Sequence, residues 1–432
     1  MQLKTISSFI LFISSFTPLF SQQDKPKHIV LTWEIDPSTT QSVCWQTSSK
    51  AEDPIALLMP ASHRPYGEEK AVQYQVAIDS VIDSDGMTRY YYQASFTDLT
   101  PDTQYLYQVG SFENRMSAWN TFTTAKANDD DFSFLYLGDI QNDILAWGSR
   151  TIREAYASQP HAAFMLFAGD LIDNAHDPNQ WDEWFEAVSH VSELMPIVPV
   201  SGNHEYEERG PDEDAEVLSV YWRPQFGLPT NGPTGLEESA YYLDYQSMRL
   251  IVLNSTAALL SKKMLKKQTD WLEQVLKENP KKWTIVSFHH PLFSARDGRH
   301  GDYPDLRETW KPVFEKHAVD LVIMGHDHVY NRGNLGRSQG PVYVVSVAGP
   351  KMYGVLPEKR WMDRNAVDTQ LYQVISIKNN TLELSAYTVM HELYDHFSIQ
   401  KRPRKDNQFT EYISSDDHPE NTFPHGSSVR SK

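Results

Sequence analysis

The chain has 432 residues, enough for two or three domains, and its 40% hydrophobic and 22% charged residues are typical of a globular protein with a sizeable core. Its formal net charge of −18 argues against nucleic acid or an anionic membrane surface as the main partner. A small anionic substrate stays open, because a bound metal reverses the local electric field.

The N-terminal segment has the features of a secretory signal peptide. Lys4 precedes a mostly apolar stretch over 6–20, which is too short for a comfortable membrane span, and Ser21 is a small residue suited to precede a cleavage site. We interpret residues 1–21 as this peptide, the alternative being an uncleaved anchor. The interpretation predicts a secreted protein, periplasmic or extracellular, with no stable membrane insertion. The single cysteine, Cys44, excludes an internal disulfide and is expected to be buried.

Residues 24–125 contain short runs rich in Val, Tyr, Trp and Thr, which are separated by turn sequences such as "DSDG" and "TPDT". This pattern predicts a small antiparallel β-sandwich. The segment "LTPDTQYLYQVG" resembles the strand–turn–strand segment of fibronectin type III domains. The runs are "HIVLTWEI", "SVCWQTS", "VQYQVAI", "TRYYYQASF", "TQYLYQVGS" and "AWNTFTTA". No catalytic cluster of His, Asp or Glu is present, which favours a packing or adaptor role.

The pattern changes after the acidic linker "AKANDDD". Over residues 130–396, continuous apolar runs alternate with helical patterns at 179–193, 263–279 and 304–317. Apolar strands between helices indicate sheets that are covered on both faces, and therefore α/β layers. The polar segment 397–432 is predicted to be a disordered or loosely draped tail.

Five of the apolar runs end in residues that carry chemistry. In layered α/β folds the carboxyl ends of the strands line the ligand crevice, so five distant segments would deliver their side chains to one place. The residues are Asp139 in "LYLGD"; Asp170 and Asp173 in "MLFAGDLIDN"; Asn203 and His204 in "IVPVSGNHE"; His289 and His290 in "TIVSFHHP"; and His326 and His328 in "LVIMGHDH".

These side chains offer carboxylate, amide and imidazole ligands and no thiolate, a set that suits hard to borderline metal ions. Two metals fit better than one, because a carboxylate can bridge and a two-metal site needs roughly seven or eight ligands. A single histidine at a strand end is more often a structural residue. Five such turns in order favour the metal site.

The motifs "GDIQ", "GDLID", "GNHE", "VSFHHP" and "GHDHVYNR", in this order, resemble the calcineurin-like metallophosphoesterase superfamily. With the preceding β-sandwich, the arrangement is similar to purple acid phosphatases and covers roughly residues 27–390. The resemblance implies a fibronectin III-like sandwich followed by a layered α/β/β/α catalytic domain. It also implies two divalent or trivalent ions, from Fe, Mn and Zn.

The resemblance assigns a role to each ligand. Asp170 would bridge both metals; Asp139 and His328 would complete the first; and Asn203, His289 and His326 would complete the second. It further implies that Asp173 orients His204, which would give a proton to the leaving alkoxide. The alternative for Asp173 is that it caps the following turn.

The chain departs from the family pattern at two positions. Purple acid phosphatases have a chromophoric Tyr where this chain has Asp173, and many other members have a His where this chain has Gln141. A purple colour is therefore not expected. Gln141 is expected either to coordinate through its amide oxygen or to hold a metal-bound water, which makes the first site weaker.

Two further histidines are candidates for contact with the substrate: His290, and His300 in the loop "SARDGRHGDYPDLRE". The alternatives are a role behind the ligands for His290 and a solvated loop residue for His300. The leading hypothesis is a secreted phosphomonoesterase that uses a metal-bridging hydroxide and His204 as general acid, with a small phosphate ester as its partner. A phosphodiesterase or nucleotidase is the first alternative, and a non-catalytic, metal-stabilised surface binding protein is the second.

Overall fold

The computed structural model describes residues 25–65, 67–83, 85–112, 115–128, 131–207, 215–294, 296, 303–335, 340–355, 361, 363–403 and 405–413. The predicted signal peptide over 1–21 and the loop residue His300 lie outside these residues. Among the described residues, no helix is both long and apolar enough to cross a membrane.

The N-terminal part is a sandwich of two four-stranded antiparallel sheets, in the orders β1-β2-β6-β5 and β4-β3-β7-β8. Their facing sides enclose a core of aromatic and aliphatic side chains, as the alternating sequence pattern predicts. The strands are β1 (Lys27–Thr32), β2 (Gln41–Thr47), β3 (Pro54–Pro60), β4 (Val72–Tyr74), β5 (Ala77–Ile82), β6 (Thr88–Phe96), β7 (Gln104–Ser111) and β8 (Asn120–Thr123).

Two details of the sandwich differ from the sequence prediction. Strand β3 was missed, because "PIALLMP" is bounded by proline and contains Ala, Leu and Met rather than β-branched or aromatic residues. The single strand predicted over 72–78 is divided into β4 and the start of β5, which belong to different sheets.

The sandwich packs directly on the α/β domain that follows it. Val30, Cys44 and Tyr91 belong to the same hydrophobic core as the strands of that domain. The hydroxyl of Tyr107 donates a hydrogen bond of 2.7 Å to the carbonyl of Glu193 across the boundary. The shared core means that the two domains stabilise each other.

The α/β domain contains two seven-stranded sheets, in the orders β11-β10-β9-β21-β22-β23-β24 and β14-β15-β16-β17-β19-β18-β20, and a short β12-β13 pair. The strands are β9 (Phe132–Leu137), β10 (Met165–Phe167), β11 (Ile197–Pro199), β12 (Tyr206–Glu207), β13 (Val217–Leu218), β14 (Tyr241–Tyr245), β15 (Met248–Val252), β16 (Trp283–Ser287), β17 (Leu321–Met324), β18 (Tyr330–Gly333), β19 (Val342–Val345), β20 (Arg364–Ala366), β21 (Leu371–Lys378), β22 (Thr381–Thr388), β23 (Leu393–Arg402) and β24 (Lys405–Glu411).

Alternate residues of the second sheet face two different cores. Ile285 and Ile323 pack in the core between the two sheets, whereas Val286 and Met324 pack in the core beneath helices. A strand buried on both faces must be apolar at every position, which explains the continuous apolar runs. The prediction of a β-sandwich followed by an α/β/β/α domain is thereby confirmed.

Helices cover the outer faces of both sheets. The three helices predicted from the sequence correspond to α2, α5 and α6, whereas α1, the π-helical turn Ile144–Gly148 before it, and the short helices α3 and α4 were not predicted. The helices are α1 (Ser149–Ser158), α2 (Pro178–Val188), α3 (Trp222–Gln225), α4 (Ser255–Leu260), α5 (Lys262–Lys277) and α6 (Pro304–Lys316).

The prediction of a loose tail from residue 397 is wrong for residues 397–411. These residues complete β23 and form β24 at the edge of the first sheet. Phe397 and Ile399 are fully or almost fully buried, and Phe409 packs against the same core. Apolar side chains at every second position are enough to attach an otherwise polar segment to a sheet. Residues 414–432 lie outside the described residues.

Candidate metal centre

The strand ends identified in the sequence meet at one edge of the α/β domain. Asp139, Asp170 and Asn203 follow β9, β10 and β11 of the first sheet, whereas His289 and His326 follow β16 and β17 of the second. Within each group the strands are parallel, and so their carboxyl ends point the same way. The two sheets together bring all five turns around one crevice.

Three of the candidate ligands have an unusual backbone conformation. The φ angle is 53° at Asp170, 74° at His326 and 50° at His328, all in the left-handed region that residues with a Cβ rarely adopt. Such conformations cost of order 1–3 kcal/mol each and persist where a fixed side-chain direction serves a function. Twelve other described non-glycine residues share this conformation, so the side-chain geometry, and not the backbone alone, identifies the site.

Two glycines permit the close approach of the turns. Gly169 has φ 94°, and a Cβ there would lie 2.5 Å from Nδ1 of His289. A Cβ on Gly202 would overlap the carboxylate of Asp170. A side chain at either position would therefore displace a candidate metal ligand.

Asp170 belongs to two overlapping sets of candidate ligands. The ligand atoms of Asp139, Asp170 and His328 lie within 4.8 Å of one another, and so do those of Asp170, His289 and His326. A carboxylate common to both sets is positioned to bridge two cations, as the sequence prediction required.

Asn203 completes the second set. Its Oδ1 is 3.1 Å from Nε2 of His289 and 3.0 Å from Nδ1 of His326, and these two ring nitrogens are 3.2 Å apart. Oδ2 of Asp170 is 3.0 Å from Nε2 of His289. Ligand bonds of about 2.0–2.2 Å around one ion require ligand separations of this order. The second set therefore fits one metal ion.

The orientation of the three imidazoles follows from their other ring nitrogens. Nδ1 of His289 and Nδ1 of His328 each lie 2.9 Å from a main-chain carbonyl oxygen, so Nδ1 donates and Nε2 stays available as a ligand. His326 is reversed, because its Nε2 lies 2.5 Å from the hydroxyl of Tyr303 and its Nδ1 faces the crevice. Such partners fix the tautomer of a metal-binding histidine.

The buried carboxylate of Asp139, in the first set, has one oxygen that a bound cation would satisfy. Its Oδ2 accepts a 2.7 Å hydrogen bond from the main-chain N–H of His326, whereas its buried Oδ1 has no hydrogen-bond partner among the described residues. Burial raises the pKa of Asp139 to about 8, opposed by His289 and assisted by the charge of Asp170. A cation between Asp139 and His328, whose Nε2 is 3.6 Å from Oδ1, would satisfy this oxygen. The donors present therefore fit two hard to borderline metals.

Gln141 is fully buried beside the shared carboxylate. With its amide nitrogen 3.0 Å from Oδ2 of Asp170, its oxygen accepts from Nζ of Lys351 at 2.6 Å and faces Nε2 of His204 at 3.3 Å. With the amide reversed, its oxygen faces Asp170, and a cation between the two oxygens would satisfy both. Gln141 thus borders the first set in either orientation, and its coordination stays a prediction.

His204 lies beside Asp173, but the main chain of Asp173 is its closer partner. Nδ1 of His204 is 2.6 Å from the carbonyl oxygen of Asp173 and 3.4 Å from its carboxylate. The expected orientation of His204 by the carboxylate is therefore corrected to orientation mainly by the carbonyl. The alternative, that Asp173 caps the turn that follows it, stays a prediction, and the N-cap of α2 is Asp177.

His290 lies behind the ligands rather than on the cavity. It is 4% exposed, its ring packs 4.5 Å from that of His326 and 4.7 Å from that of Tyr303, and its Nδ1 is 2.9 Å from Oγ of Ser255. This placement favours a role in positioning His326 over contact with the substrate. The other substrate candidate, His300, lies outside the described residues.

Glu205 is a site residue that the sequence reasoning missed. Its fully buried carboxylate accepts three main-chain hydrogen bonds, from Asp170 at 3.0 Å, Leu171 at 2.7 Å and Gly202 at 2.6 Å. It thereby fixes the turns after β10 and β11 relative to each other. The motif "GNHE" contains Glu205, but its letters do not distinguish an internal anchor from a surface acid.

The sequence reasoning also missed two cations at the cavity. A cavity of about 200 Å³ lies over the ligand sets, and Arg296 and Lys351 line it together with His204. The guanidinium of Arg296 lies 3.5 Å from the ring centre of Tyr353. Lys351 follows β19 in "VVSVAGPK", the same pattern of an apolar strand, a glycine and a polar residue, and so its signal was present in the sequence.

Comparison with known proteins identifies both domains of the chain. Residues 132–330 match the family model of calcineurin-like phosphoesterases, and residues 26–124 match that of the purple acid phosphatase N-terminal domain. The chain belongs to the calcineurin-like metallophosphoesterase superfamily. Within it, the preceding β-sandwich gives the chain the two-domain organisation of the purple acid phosphatase-like members.

The relatives are distant. The chain is 24% identical over 327 residues to an uncharacterized protein of Mycobacterium tuberculosis, covering 69% of this chain and 60% of that protein. It is 26% identical over 253 residues to Fe(3+)-Zn(2+) purple acid phosphatase 12 of Arabidopsis thaliana, covering 56% and 52%. The chain thus spans between half and two thirds of these two proteins. Purple acid phosphatase PPD1 from yellow lupin seeds shares the fold, with a TM-score of 0.74 and 17% identity over 88% of this chain and 75% of that chain.

Proposed function

We propose that this protein is a secreted, dinuclear metal-dependent phosphoesterase that hydrolyses phosphomonoesters. The observation that carries the proposal is the position of Asp170 in two ligand sets whose atoms each lie within 4.8 Å. A single structural metal does not need a shared carboxylate between two sets, whereas a two-metal hydrolase does.

The candidate ligands form two sets, and each set would hold one cation. When bound, the two cations would acidify a water molecule and neutralise the charge on the phosphoryl oxygens. Fe, Mn and Zn all suit carboxylate, amide and imidazole donors, and the name of the Arabidopsis relative contains Fe and Zn. One cation would be held by Asp139, Asp170 and His328, with Gln141 beside it, and the other by Asp170, Asn203, His289 and His326.

His204 is the proposed proton donor to the leaving alcohol. Its Nδ1 is held by the carbonyl of Asp173 at 2.6 Å, so its Nε2 is the nitrogen that faces the cavity. Lys351 and Arg296 line the same cavity and would attract a phosphate dianion. In this proposal Lys351 and Arg296 position the ester, and His204 supplies the proton.

The preference for monoesters rests on the size and charge of this cavity. The cavity of about 200 Å³, which is lined by the side chains of Arg296 and Lys351, suits one phosphoryl group with two negative charges. A diester carries one negative charge and would have to fit a second substituent. Comparison of p-nitrophenyl phosphate with bis(p-nitrophenyl) phosphate separates the two, and faster turnover of the diester would favour the phosphodiesterase alternative.

The proposed function is tested by metal content and turnover together. We expect two metal ions per chain and chelator-sensitive hydrolysis of p-nitrophenyl phosphate. His328→Ala should lose one metal and at least about 100-fold in kcat, whereas His63→Ala, at an exposed position of the sandwich, should change neither. Turnover that survives complete metal removal and Asp170→Asn would overturn the proposal. Two bound metals without turnover of any phosphate ester would favour the non-catalytic binding protein.

The proposal of secretion rests on the N-terminal sequence pattern over residues 1–21. Mass spectrometry of the protein from its native host should find a mature chain that begins close to residue 22. A chain that retains residues 1–21 in the cell fraction would contradict secretion and leave the enzymatic proposal intact.

A further inference from the structure

A larger groove continues from the cavity over the metal ligands. It encloses about 850 Å³ between the loop after β9, the segment after β19, the β20–β21 loop and the β22–β23 hairpin. Lys351 and Tyr353 line both the groove and the smaller cavity, so the two spaces adjoin. The groove is far larger than a phosphoryl group and therefore has room for the rest of a substrate.

The groove lies on the side of the proton donor. His204 lines the small cavity, and Asp173, whose carbonyl holds Nδ1 of His204 at 2.6 Å, lines the groove. An alcohol that takes its proton from His204 must be on the same side of the phosphorus atom as His204. The leaving alcohol therefore extends toward the groove.

The groove offers a flat apolar face. The side chain of Trp147 lines it with 49% of its surface exposed, and Met390 on the β22–β23 hairpin is 68% exposed. An indole in a concave site is a common platform for a ring of the ligand. Gln370 also lines the groove; its Nε2 donates to the main-chain carbonyls of Trp147 and Ala348, which leaves its Oε1 as an acceptor beside that face.

The charge of the groove away from Lys351 is negative. Asp143, Asp368 and Glu392 line it and are exposed, and none of them has an ion-pair partner among the described residues. Arg150 is the cation on this part of the lining, with its Nη2 3.2 Å from Sδ of Met390. Three carboxylates against one guanidinium disfavour an anionic group in this part of the groove.

We propose that this groove binds the leaving alcohol, and that it selects ring-shaped, hydroxyl-bearing alcohols that are neutral or cationic over anionic ones. The proposal rests on the proposed phosphomonoesterase function and names the substrate class of the same site. Phosphomonoesters of neutral sugars and amino sugars belong to this class, whereas esters whose alcohol carries a carboxylate do not.

Three hexose derivatives of similar size test the charge selection. Glucosamine 1-phosphate, glucose 1-phosphate and glucuronic acid 1-phosphate carry a positive, a neutral and a negative group on the same kind of pyranose ring at pH 6.5, where the amine is protonated. At low salt we expect kcat/KM to fall in that order, by about tenfold from the first to the third. At about 0.5 M salt the difference should shrink, because exposed charges are screened.

Two variants connect this selection to named residues. Asp368→Asn with Glu392→Gln should reduce the difference in kcat/KM to about twofold, because these two carboxylates supply most of the negative charge in that part of the groove. Trp147→Ala should raise KM for glucose 1-phosphate about fivefold with little change in kcat. The matched control is Glu52→Gln with Asp53→Asn, two exposed carboxylates on the sandwich, which should leave the order and the ratio unchanged.

Equal kcat/KM for the three hexose derivatives, or a difference that persists in the Asp368 and Glu392 double variant, would overturn the groove proposal. Absence of p-nitrophenyl phosphate turnover would remove the proposed function instead. Titration calorimetry with the metal-loaded His204→Ala protein then measures binding of the same three compounds without turnover. Equal affinities there would overturn the groove, and affinities in the expected order would support it.

Discussion

The hydroxyl of Tyr303 lies 2.5 Å from Nε2 of His326, whose Nδ1 faces the candidate metal centre. His326 is thereby reversed relative to His289 and His328, which face the crevice with Nε2. In the tautomer that carries its proton on Nε2, Nε2–H donates a hydrogen bond to the hydroxyl and Nδ1 is free to bind a cation. The ring orientation therefore depends on a residue from the start of α6.

Tyr303→Phe should weaken binding at the second metal site about 10- to 100-fold, the usual effect of losing the partner of a metal-binding imidazole. Chelator competition measures the affinity, and the first site serves as the internal reference. Tyr412→Phe removes a hydroxyl that pairs with Oγ of Ser398 on a largely exposed ring, and it should leave the affinity of both metal sites unchanged. Equal second-site affinities in wild type and Tyr303→Phe would show that packing alone orients His326.

Gln141→His should tighten binding at the first metal site, because imidazole is a stronger ligand than a neutral amide oxygen. The amide nitrogen of Gln141 lies 3.0 Å from Oδ2 of Asp170, and its amide oxygen lies 2.6 Å from Nζ of Lys351. The native site therefore combines a weak donor with a nearby positive charge. Gln141→Leu is the matched control of similar size without a donor and should weaken the site. Unchanged metal affinity in both variants would show that Gln141 does not coordinate.

Glu205→Gln should lower the free energy of unfolding by about 2–4 kcal/mol, because an amide nitrogen replaces one oxygen that accepts main-chain hydrogen bonds in a buried turn. Metal affinity should fall as well, since Asp170 is one of the anchored residues. Glu207→Gln, two residues further on and exposed, is the control and should change stability by less than about 0.5 kcal/mol. Urea unfolding measures the stability of both variants. Equal stabilities of wild type and Glu205→Gln would contradict the anchoring role of Glu205.

The sequence predicted the parts of the site that side-chain chemistry identifies. The candidate ligands all follow apolar strands at turns, and the pattern of buried strand, glycine and polar residue is visible without a structure. Glu205 and Tyr303 were not predicted. Glu205 accepts from main-chain amides and Tyr303 contacts the ring of His326, and these partners come close only in the folded chain. The preference of His204 for the carbonyl of Asp173 over its carboxylate is likewise a matter of backbone path.

The fold was predicted where sequence periodicity is strong and missed where it is weak. Strands buried on both faces are continuous apolar runs, and α5 has a clear helical period. Strand β24 has a single apolar residue, Phe409, among polar and charged ones, and its place at the sheet edge depends on pairing with β23. Pairing between neighbouring strands contributes stability that local composition does not reveal.

Asp182 of α2 contacts three cationic or imidazole groups of the sandwich: Lys27 at 3.3 Å, His28 at 3.0 Å and Arg89 at 3.1 Å. Burial alone would raise the pKa of Asp182, but the contacts with His28, Lys27 and Arg89 outweigh burial and hold the pKa well below its usual range. A carboxyl group with a lowered pKa in the folded state stabilises the protein above its unfolded pKa of about 4. This stability is lost as the pH falls below that value.

Asp182→Asn should therefore lower the free energy of unfolding by about 1 kcal/mol at pH 7, a modest value because a third of the side chain is exposed. The difference from wild type should shrink below about pH 4, where the folded wild-type carboxylate begins to lose its advantage. Urea unfolding at pH 7, 5 and 3 measures it. Asp270→Asn, which breaks a 2.6 Å surface pair with Lys266 within α5, is the control and should cost less than about 0.5 kcal/mol at every pH. A difference for Asp182→Asn that stays constant down to pH 3 would show that its packing, and not its charge, connects the two domains.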